Sequence, residues 1–119
     1  MCRARRPVPC SICWRQDTPI TATSQSSLLA FADLTGERPG VPDGMKVDLE
    51  GNVYCGGSGG VWILDPNGKH LGTIAHGETA TTNVAFGGDD WKTLFFTSRN
   101  TLGSVQCKIA GLPVPVAGQ

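Results

Sequence analysis

The sequence predicts an all-β fold made of short antiparallel strands. In this chain of 119 residues, glycine is abundant at 16, apolar runs are short, and clusters of glycine, proline, asparagine and aspartate separate them. Such clusters are typical of tight turns, and short apolar runs between turns are typical of strands. Long runs of helix-favouring residues do not occur. We therefore expect about seven to nine strands and almost no helix.

The regular pattern begins at residue 28. The run LLAFADL, residues 28–34, predicts a first strand, and TGERPGVPDG, residues 35–44, predicts a loop. Turns such as EGN, PNG and RNT separate the strand candidates that follow. In chain order these candidates are MKVDL, VYCGG, VWILD, KHLGTIA, TNVAFGG, TLFFTS and LGSVQCKI.

Residues 1–27 differ from the rest of the chain. Four of the ten basic residues and three of the five cysteines fall here, and hydrophobic periodicity is missing. We expect an irregular segment that lies outside the domain of residues 28–119 and is foreign to it. Enrichment in Arg, Pro, Cys and Ala fits a gene read in another frame, so our hypothesis is a truncated or frame-disrupted descendant of a longer protein.

The charge balance and the cysteines argue against several classes of partner and binding site. Lys plus Arg and Asp plus Glu both total 10, so the net charge is zero, which argues against nucleic acid and anionic membranes. No apolar run approaches a membrane span or a secretory signal, and cytoplasmic localisation is expected. Cys55 and Cys107 are predicted as small core residues. The pair Cys10 and Cys13 lacks the further ligands of a zinc site.

The strands repeat at an offset of about 39 residues, because residues 44–65 align with residues 82–109. A four-stranded repeat of about this length is typical of a β-propeller blade, although any antiparallel meander gives similar spacing. Residues 44–75 would form one complete blade, and residues 82–109 three strands of another. The total is about two blades, fewer than a closed ring needs, so blade edges are left open for self-association.

Two runs resemble a known family closely: PDGMKVD followed by GNVY, and NVAFGGDDWKTLFFTS. The chain is similar over residues 28–116 to the C-terminal part of the gluconolactonase, regucalcin (senescence marker protein) and luciferin-regenerating enzyme family. The resemblance implies a six-bladed β-propeller that hydrolyses a sugar lactone. It also implies one divalent cation at the mouth of the central channel, most often calcium, with zinc, magnesium or manganese as alternatives.

The resemblance assigns Asp43, in a Pro-Asp-Gly sequence, two roles: metal ligand, and catalytic proton donor and acceptor. Read without the family, Pro-Asp-Gly is a common turn tripeptide. The family's other metal ligands, a glutamate near the chain start and asparagines in middle blades, have no matching positions here. One carboxylate with water would hold calcium weakly, because calcium takes six to eight oxygen ligands.

Blade equivalence suggests two further site residues. Thr82 and Asn83 open one innermost strand as Asp43 and Gly44 open another, so they are candidates for substrate contact; strand-start hydrogen bonding is the alternative. Asp48 ends a strand before a turn and is interpreted as a turn carboxylate rather than a ligand.

The remaining aromatic candidates are weaker. His70 is predicted on a solvated strand face, and His76 lies in a loop near the proposed channel mouth. Trp62 and Trp91 are interpreted as packing residues rather than as a sugar platform.

The leading functional hypothesis is hydrolysis of a sugar lactone to its aldonic acid, with a small-molecule lactone as partner. The rival hypothesis is a catalytically inactive remnant or a small binding module derived from a propeller. A third is self-assembly of several copies into a ring, which would multiply Asp43 without supplying the missing glutamate.

Overall fold

The computed structural model describes residues 12–16, 28–77 and 80–114 of the chain. Strands form all of its regular secondary structure, as the turn-rich sequence predicts. Most strands differ from their predicted bounds by one or two residues. The strands are β1 (Ile12–Gln16), β2 (Leu28–Asp33), β3 (Met45–Val47), β4 (Val53–Gly57), β5 (Gly60–Leu64), β6 (His70–Ile74), β7 (Asn83–Gly87), β8 (Thr93–Thr97) and β9 (Leu102–Gln106).

The strands form three antiparallel sheets. A two-stranded sheet pairs β1 with β2, a four-stranded sheet runs β3-β4-β5-β6, and a three-stranded sheet runs β7-β8-β9. Within each of the two larger sheets every strand neighbours the next one in sequence, so both sheets are meanders whose strands are joined by short turns. The all-β prediction is thereby confirmed. The described part of the chain contains no helix that is long and apolar enough to cross a bilayer.

Strand β1 corrects one expectation. It lies inside residues 1–27, where the sequence predicted an irregular segment, and pairs antiparallel with β2 from Ile12↔Asp33 to Gln16↔Leu28. The register shifts between Cys13 and Trp14, which marks a bulge. That prediction is therefore wrong for this stretch. Cys10 and the other residues of the segment lie outside the described residues, and the proposed boundary at residue 28 stays a prediction.

Tight turns connect the strands of the four-stranded sheet. Between β4 and β5, Gly57 pairs with Gly60 across the loop, and Gly59 has a φ of 82° that only glycine adopts without strain. Between β5 and β6, the Asp65 carboxylate accepts hydrogen bonds from the backbone N–H groups of Asn67 at 2.8 Å and Lys69 at 2.9 Å. This side chain therefore closes the turn that the Pro-Asn-Gly sequence predicts.

The sheets pack face to face around two apolar clusters. Leu34, which follows β2, is fully buried against Cys55 and Leu64 on one face of the four-stranded sheet. Between the four-stranded and three-stranded sheets lies a second cluster, in which the Tyr54 and Phe86 rings meet edge to face at 5.1 Å. The buried members of this second cluster are Tyr54, Val61, Val84, Phe86, Leu94 and Phe96.

A return segment, residues 107–112, joins the two larger sheets at the end of β3. Leu49 N donates to Ala110 O at 2.9 Å, and Leu112 N donates to Val47 O at 3.0 Å. Between these bonds, Asp48 and Gly111 form an isolated antiparallel bridge. Because the segment follows β9 directly, it ties the last strand of one sheet to the first strand of the other.

Asp48 stabilises this junction from within. The residue is 1% exposed, and its Oδ1 accepts from the backbone N–H groups of Glu50 at 2.9 Å and Asn52 at 3.0 Å. Its Oδ2 accepts from Asn52 Nδ2 at 2.9 Å and from the Tyr54 hydroxyl at 3.1 Å. Four donors therefore compensate the carboxylate for its loss of water. The interpretation of Asp48 as a turn carboxylate is confirmed, and its burial was not anticipated.

Replacing Asp48 with Ala should lower the free energy of unfolding by about 3 kcal/mol, because four donors, among them the buried Tyr54 hydroxyl, lose their acceptor together. The matched control is Asp65→Ala in the solvent-facing turn between β5 and β6, which should cost about 1 kcal/mol. Denaturant unfolding of both variants measures the difference. Equal decreases in the free energy of unfolding of the two variants would contradict the stabilising role of the buried Asp48 carboxylate.

Tyr54 makes stability depend on alkaline pH. Burial first, and then the nearby Asp48 carboxylate, raises the pKa of Tyr54 well above its ordinary value of 10.0. The unfolded chain therefore loses the phenolic proton first, so the stabilising contribution is complete below pH 10.0 and declines as pH rises above it.

Tyr54 is the only tyrosine, so ultraviolet absorbance reports its ionisation without interference from another phenol. We expect the folded protein to form tyrosinate only at a pH above the ordinary range. Tyr54→Phe should be less stable at neutral pH and should show a flatter decline of stability under alkaline conditions. Titration of the native phenol at its ordinary pKa would refute this account.

Candidate functional site

The candidate site lies at the end of the sheets where β3 and β7 begin. Asp43 is exposed in the loop immediately before β3, and its predecessor Pro42 is buried. Proline fixes its own φ, so it fixes the direction in which the loop enters the strand. The sequence therefore places the exposed Asp43 at a defined position just before β3.

The segment after Asp43 lies directly against the start of β7. Gly44 N donates to Thr82 O at 3.1 Å. A Cβ atom added at Gly44 would lie 2.7 Å from the Cα of Asn83 and would overlap that side chain. Only glycine allows this approach, because any larger residue would push the two strand starts apart. The structure therefore brings the three residues predicted for the site, Asp43, Thr82 and Asn83, into one neighbourhood.

Hydrogen bonds orient the two β7 residues. The Thr82 hydroxyl contacts the Thr97 hydroxyl at 2.8 Å and the Thr97 carbonyl oxygen at 3.2 Å. Asn83 Oδ1 accepts from the backbone N–H of Val84 at 2.9 Å. Both side chains are exposed, so they are positioned by local bonds and still face solvent.

His76 lies beside this neighbourhood. Its Nε2 contacts the hydroxyl of Thr81 at 2.7 Å, and its ring stacks on Phe96 with centroids 4.6 Å apart. Thr81 is 2% exposed, so the histidine is tied to a buried residue immediately before Thr82. These contacts give His76 a packing role between the two larger sheets.

Other candidates lie away from the site. Asp48 is at the opposite end of β3, bound within its turn. Trp62 donates from Nε1 to Ser58 O at 2.8 Å and stacks on the exposed His70 ring at 3.8 Å, so its predicted packing role is confirmed. Trp91 packs against the cluster between the two larger sheets.

Cys55 and Cys107 both pack in apolar surroundings. Cys55 is fully buried in the four-stranded sheet. Cys107 is half-buried after β9 and packs against the second cluster. Burial raises the pKa of the Cys107 thiol, and the Asp48 carboxylate raises it further. A raised pKa keeps the thiol protonated and unreactive at neutral pH, as expected for a core residue.

Sequence reasoning missed Thr81 and Thr97. Thr97 pairs with Asn83 in the β7–β8 register and contacts the neighbouring Thr82 through its hydroxyl. Fixing the length of the GGDDWK turn would have revealed this pairing, since turn length sets hairpin register. Thr81 gave no comparable signal, because its partner His76 belongs to the loop after another sheet.

The oxygen donors near Asp43 suit a hard cation such as calcium in type but not in number. Calcium takes six to eight oxygen ligands, often several carboxylates. In residues 12–16, 28–77 and 80–114, no group of three or more His, Cys, Asp or Glu side chains is placed to hold a metal ion. The described residues therefore do not complete a metal site by themselves.

The fold is an arrangement of antiparallel strand meanders, and sequence comparison places it in a known family. The profile of the family described as "SMP-30/Gluconolactonase/LRE-like region" matches residues 9–100, which is most of the chain. The chain belongs to this family. The match begins within residues 1–27, before the position where the sequence analysis expected family sequence to start.

Curated relatives include lactonases and regucalcins. A gluconolactonase of Zymomonas mobilis subsp. mobilis is 32% identical over 72 residues, covering 60% of this chain and 20% of the relative. Regucalcin of Danio rerio is 40% identical over 62 residues, covering 50% of this chain and 21% of the relative. A pentonolactonase of Haloferax volcanii is 38% identical over 64 residues, covering 52% and 22%. The matched segments therefore span about a fifth of these relatives' length.

A solved structure supports the fold. The X-ray structure of a candidate gluconolactonase superposes with a TM-score of 0.71 at 29% sequence identity. The superposition covers 87% of this chain and 34% of the other. The arrangement of sheets in this chain thus recurs in about a third of that larger protein.

Gly44→Ala should lower the free energy of unfolding by about 2 kcal/mol, because the methyl group overlaps Asn83 and its backbone. Gly72→Ala is the matched control: it adds a methyl to a glycine of β6, with no atom within 4 Å of the new Cβ. The control should change stability by less than about 0.5 kcal/mol. Equal stability of the two variants would show that β3 and β7 do not meet closely here.

Proposed function

We propose that this chain is the part of a metal-dependent sugar lactonase that carries the catalytic aspartate, Asp43. In this proposal the chain forms about two blades of a six-bladed β-propeller. The four-stranded sheet is one blade, and the three-stranded sheet is most of the next. Stacked four-stranded meanders are the architecture of propellers, and the recurrence of these sheets in about a third of a larger relative supports the assignment.

The proposed reaction is hydrolysis of a sugar lactone to its aldonic acid. Water adds to the ring carbonyl carbon, the bond between that carbon and the ring oxygen breaks, and the ring oxygen leaves as a hydroxyl. Asp43 would take the proton of the attacking water and return it to the departing ring oxygen. The single observation that carries the proposal is that the exposed Asp43 immediately precedes Gly44, whose backbone lies against Thr82 and Asn83, in a chain of this family.

Thr82 and Asn83 are proposed to contact the substrate. Asn83 already engages Oδ1 with Val84 N, so its Nδ2 group would donate to a sugar hydroxyl. The Thr82 hydroxyl shares a hydrogen bond with Thr97, which holds it in a fixed direction. Fixed donors of this kind orient a polyhydroxylated ligand at little entropic cost.

A divalent cation is part of the proposal, and calcium is our first choice because of the family, with zinc, magnesium or manganese as alternatives. Asp43 would supply one oxygen ligand, and the cation would supply polarisation of the lactone carbonyl. The described residues do not complete the ligand set, so the remaining ligands would have to come from outside them. We assign no step to the metal for that reason.

A non-catalytic binding module is the second candidate. Asp43, Thr82 and Asn83 are exposed polar side chains that could bind a polyhydroxylated ligand without catalysing a reaction, and this favours it. In either case the proposed partner is a sugar lactone or a similar small molecule, in the cytoplasm, without nucleic acid or membrane.

Asp43→Asn should lower the rate of lactone hydrolysis in the presence of calcium by at least about a hundredfold, because the amide cannot accept the proton. Asp65→Asn, at a turn carboxylate away from the site, should leave the rate unchanged. The assay follows acid release from gluconolactone above its spontaneous hydrolysis, at a known oligomeric state. Unaltered activity in the Asp43 variant would refute its catalytic role, and a folded wild type without activity would favour the binding module.

A further inference from the structure

We propose that β9, the outer strand of the three-stranded sheet, is a self-association edge through which two copies of this chain pair antiparallel about a twofold axis. Within the described residues, β9 hydrogen-bonds to a strand on one side only, namely β8. An edge strand leaves a row of backbone donors and acceptors that a strand of another chain can match.

Comparison of the two repeated sheets shows that no described strand covers the outer side of β9. In the four-stranded sheet, the third strand, β5, is covered on its outer side by β6. In the three-stranded sheet, β9 is the third strand of the same order β7-β8-β9, and no fourth described strand follows. After β9 the chain turns back to Val47 and Leu49 instead, as the hydrogen bonds of Ala110 and Leu112 show.

The sequence of β9 contains none of the residues that usually prevent an edge strand from pairing with another chain. Its sequence LGSVQ contains neither charge nor proline, and Leu102 is 69% exposed. Natural edge strands are commonly blocked by lysine, proline or a bulge. Strand β9 also pairs with β8 in regular register from Thr93↔Gln106 to Thr97↔Leu102. A regular, neutral edge of this kind is open to strand addition.

The edge strand of the neighbouring sheet is blocked, which points to β9 as the specific surface. Strand β6 follows Lys69, and its register shifts between Ile63 and Leu64 on β5. The His70 ring contacts Gly72 O at 2.9 Å and the Thr73 hydroxyl at 2.8 Å, so a side chain already engages this strand. Strand β6 thus has a bulge, a preceding cation and a side-chain bond to its own backbone. Strand β9 has a regular register, and its Gln106 side chain accepts from Thr93 Oγ1 at 3.1 Å, a bond that joins it to β8 and leaves the outer edge uncovered by this side chain.

The β9 edge can pair with the β9 edge of a second copy of the chain. In an antiparallel pair centred on Ser104, Leu102 faces Gln106 of the partner subunit, and Lys108 faces Asn100 of the partner subunit. No like charges oppose each other, which is the condition that most often forbids a homotypic pair. The uncharged row Ala85–Phe95–Ser104, which crosses the three strands in register, would continue into the same row of the second copy.

The dimer should be weak, because five residues of edge bury less surface than a standard interface. We expect a Kd on the order of 0.1 mM. Sedimentation of the full chain from micromolar to millimolar concentration should show the mass rising from monomer to dimer. Ser104→Lys places two cations opposite each other at the axis and should raise the Kd by at least about tenfold. Leu71→Lys on the exposed face of β6 is the matched control and should leave the Kd unchanged.

Hydrogen exchange of the unaltered chain provides a second measurement that does not depend on how a variant folds. Amides of β9 should gain protection as concentration rises, and amides of β6 should not. A monomer at all concentrations, or a dimer that Leu71→Lys dissociates and Ser104→Lys does not, would overturn the proposal. Protection of the outward-facing β9 amides that does not change with concentration would also overturn it. Such protection would mean that a segment of the same chain covers this edge.

Discussion

The candidate site depends on a short seam of backbone hydrogen bonds that holds the three-stranded sheet against β3. Gly44 N bonds to Thr82 O at one end of β3, and Leu49 N and Leu112 N bond to Ala110 O and Val47 O at the other. These segments are far apart in sequence, so their contact closes long loops that local structure cannot specify. Because Asp43 and Asn83 sit on opposite sides of the seam, any loosening of it would separate them.

Apolar packing and buried polar bonding both support the seam. The cluster around Tyr54 and Phe86 fills the space between the two sheets, and Gly111 passes so close to the Phe86 ring that a side chain there would overlap it. Asp48 binds Tyr54, a member of this cluster, and also forms the backbone bridge to Gly111. Burial of apolar area supplies most of the stability, while the fully bonded carboxylate selects one arrangement of the junction.

Local turn chemistry explains why most of the fold could be predicted from the sequence. Glycine, proline and asparagine clusters mark the ends of β3 through β9, and the repeat between the two larger sheets follows from their spacing. Strand β1 was not predicted because its sequence ICWRQ shows no alternation of apolar and polar residues and its pairing with β2 contains a bulge. The basic, cysteine-rich composition of residues 1–27 favoured an irregular segment, although five of these residues pair with β2.

The site was predictable to a smaller extent. Blade equivalence gave Thr82 and Asn83, and the structure brings both to the residue next to Asp43. Thr81 and Thr97 depend on contacts across strands and between sheets, which sequence periodicity does not encode. The burial of Asp48 likewise depends on the contact of residues 107–112 with the end of β3. No local sequence pattern predicts this contact.

Native-state hydrogen exchange tests the central claim, that β3 and the three-stranded sheet form one cooperative unit. The amides of Gly44, Leu49 and Leu112 should exchange with about the same free energy as amides in the centre of β5 and β8, since all of them open only on global unfolding. If the three seam amides exchange much faster than the strand centres, the sheets separate independently. The account of how Asp43 is held beside Asn83 would then be wrong.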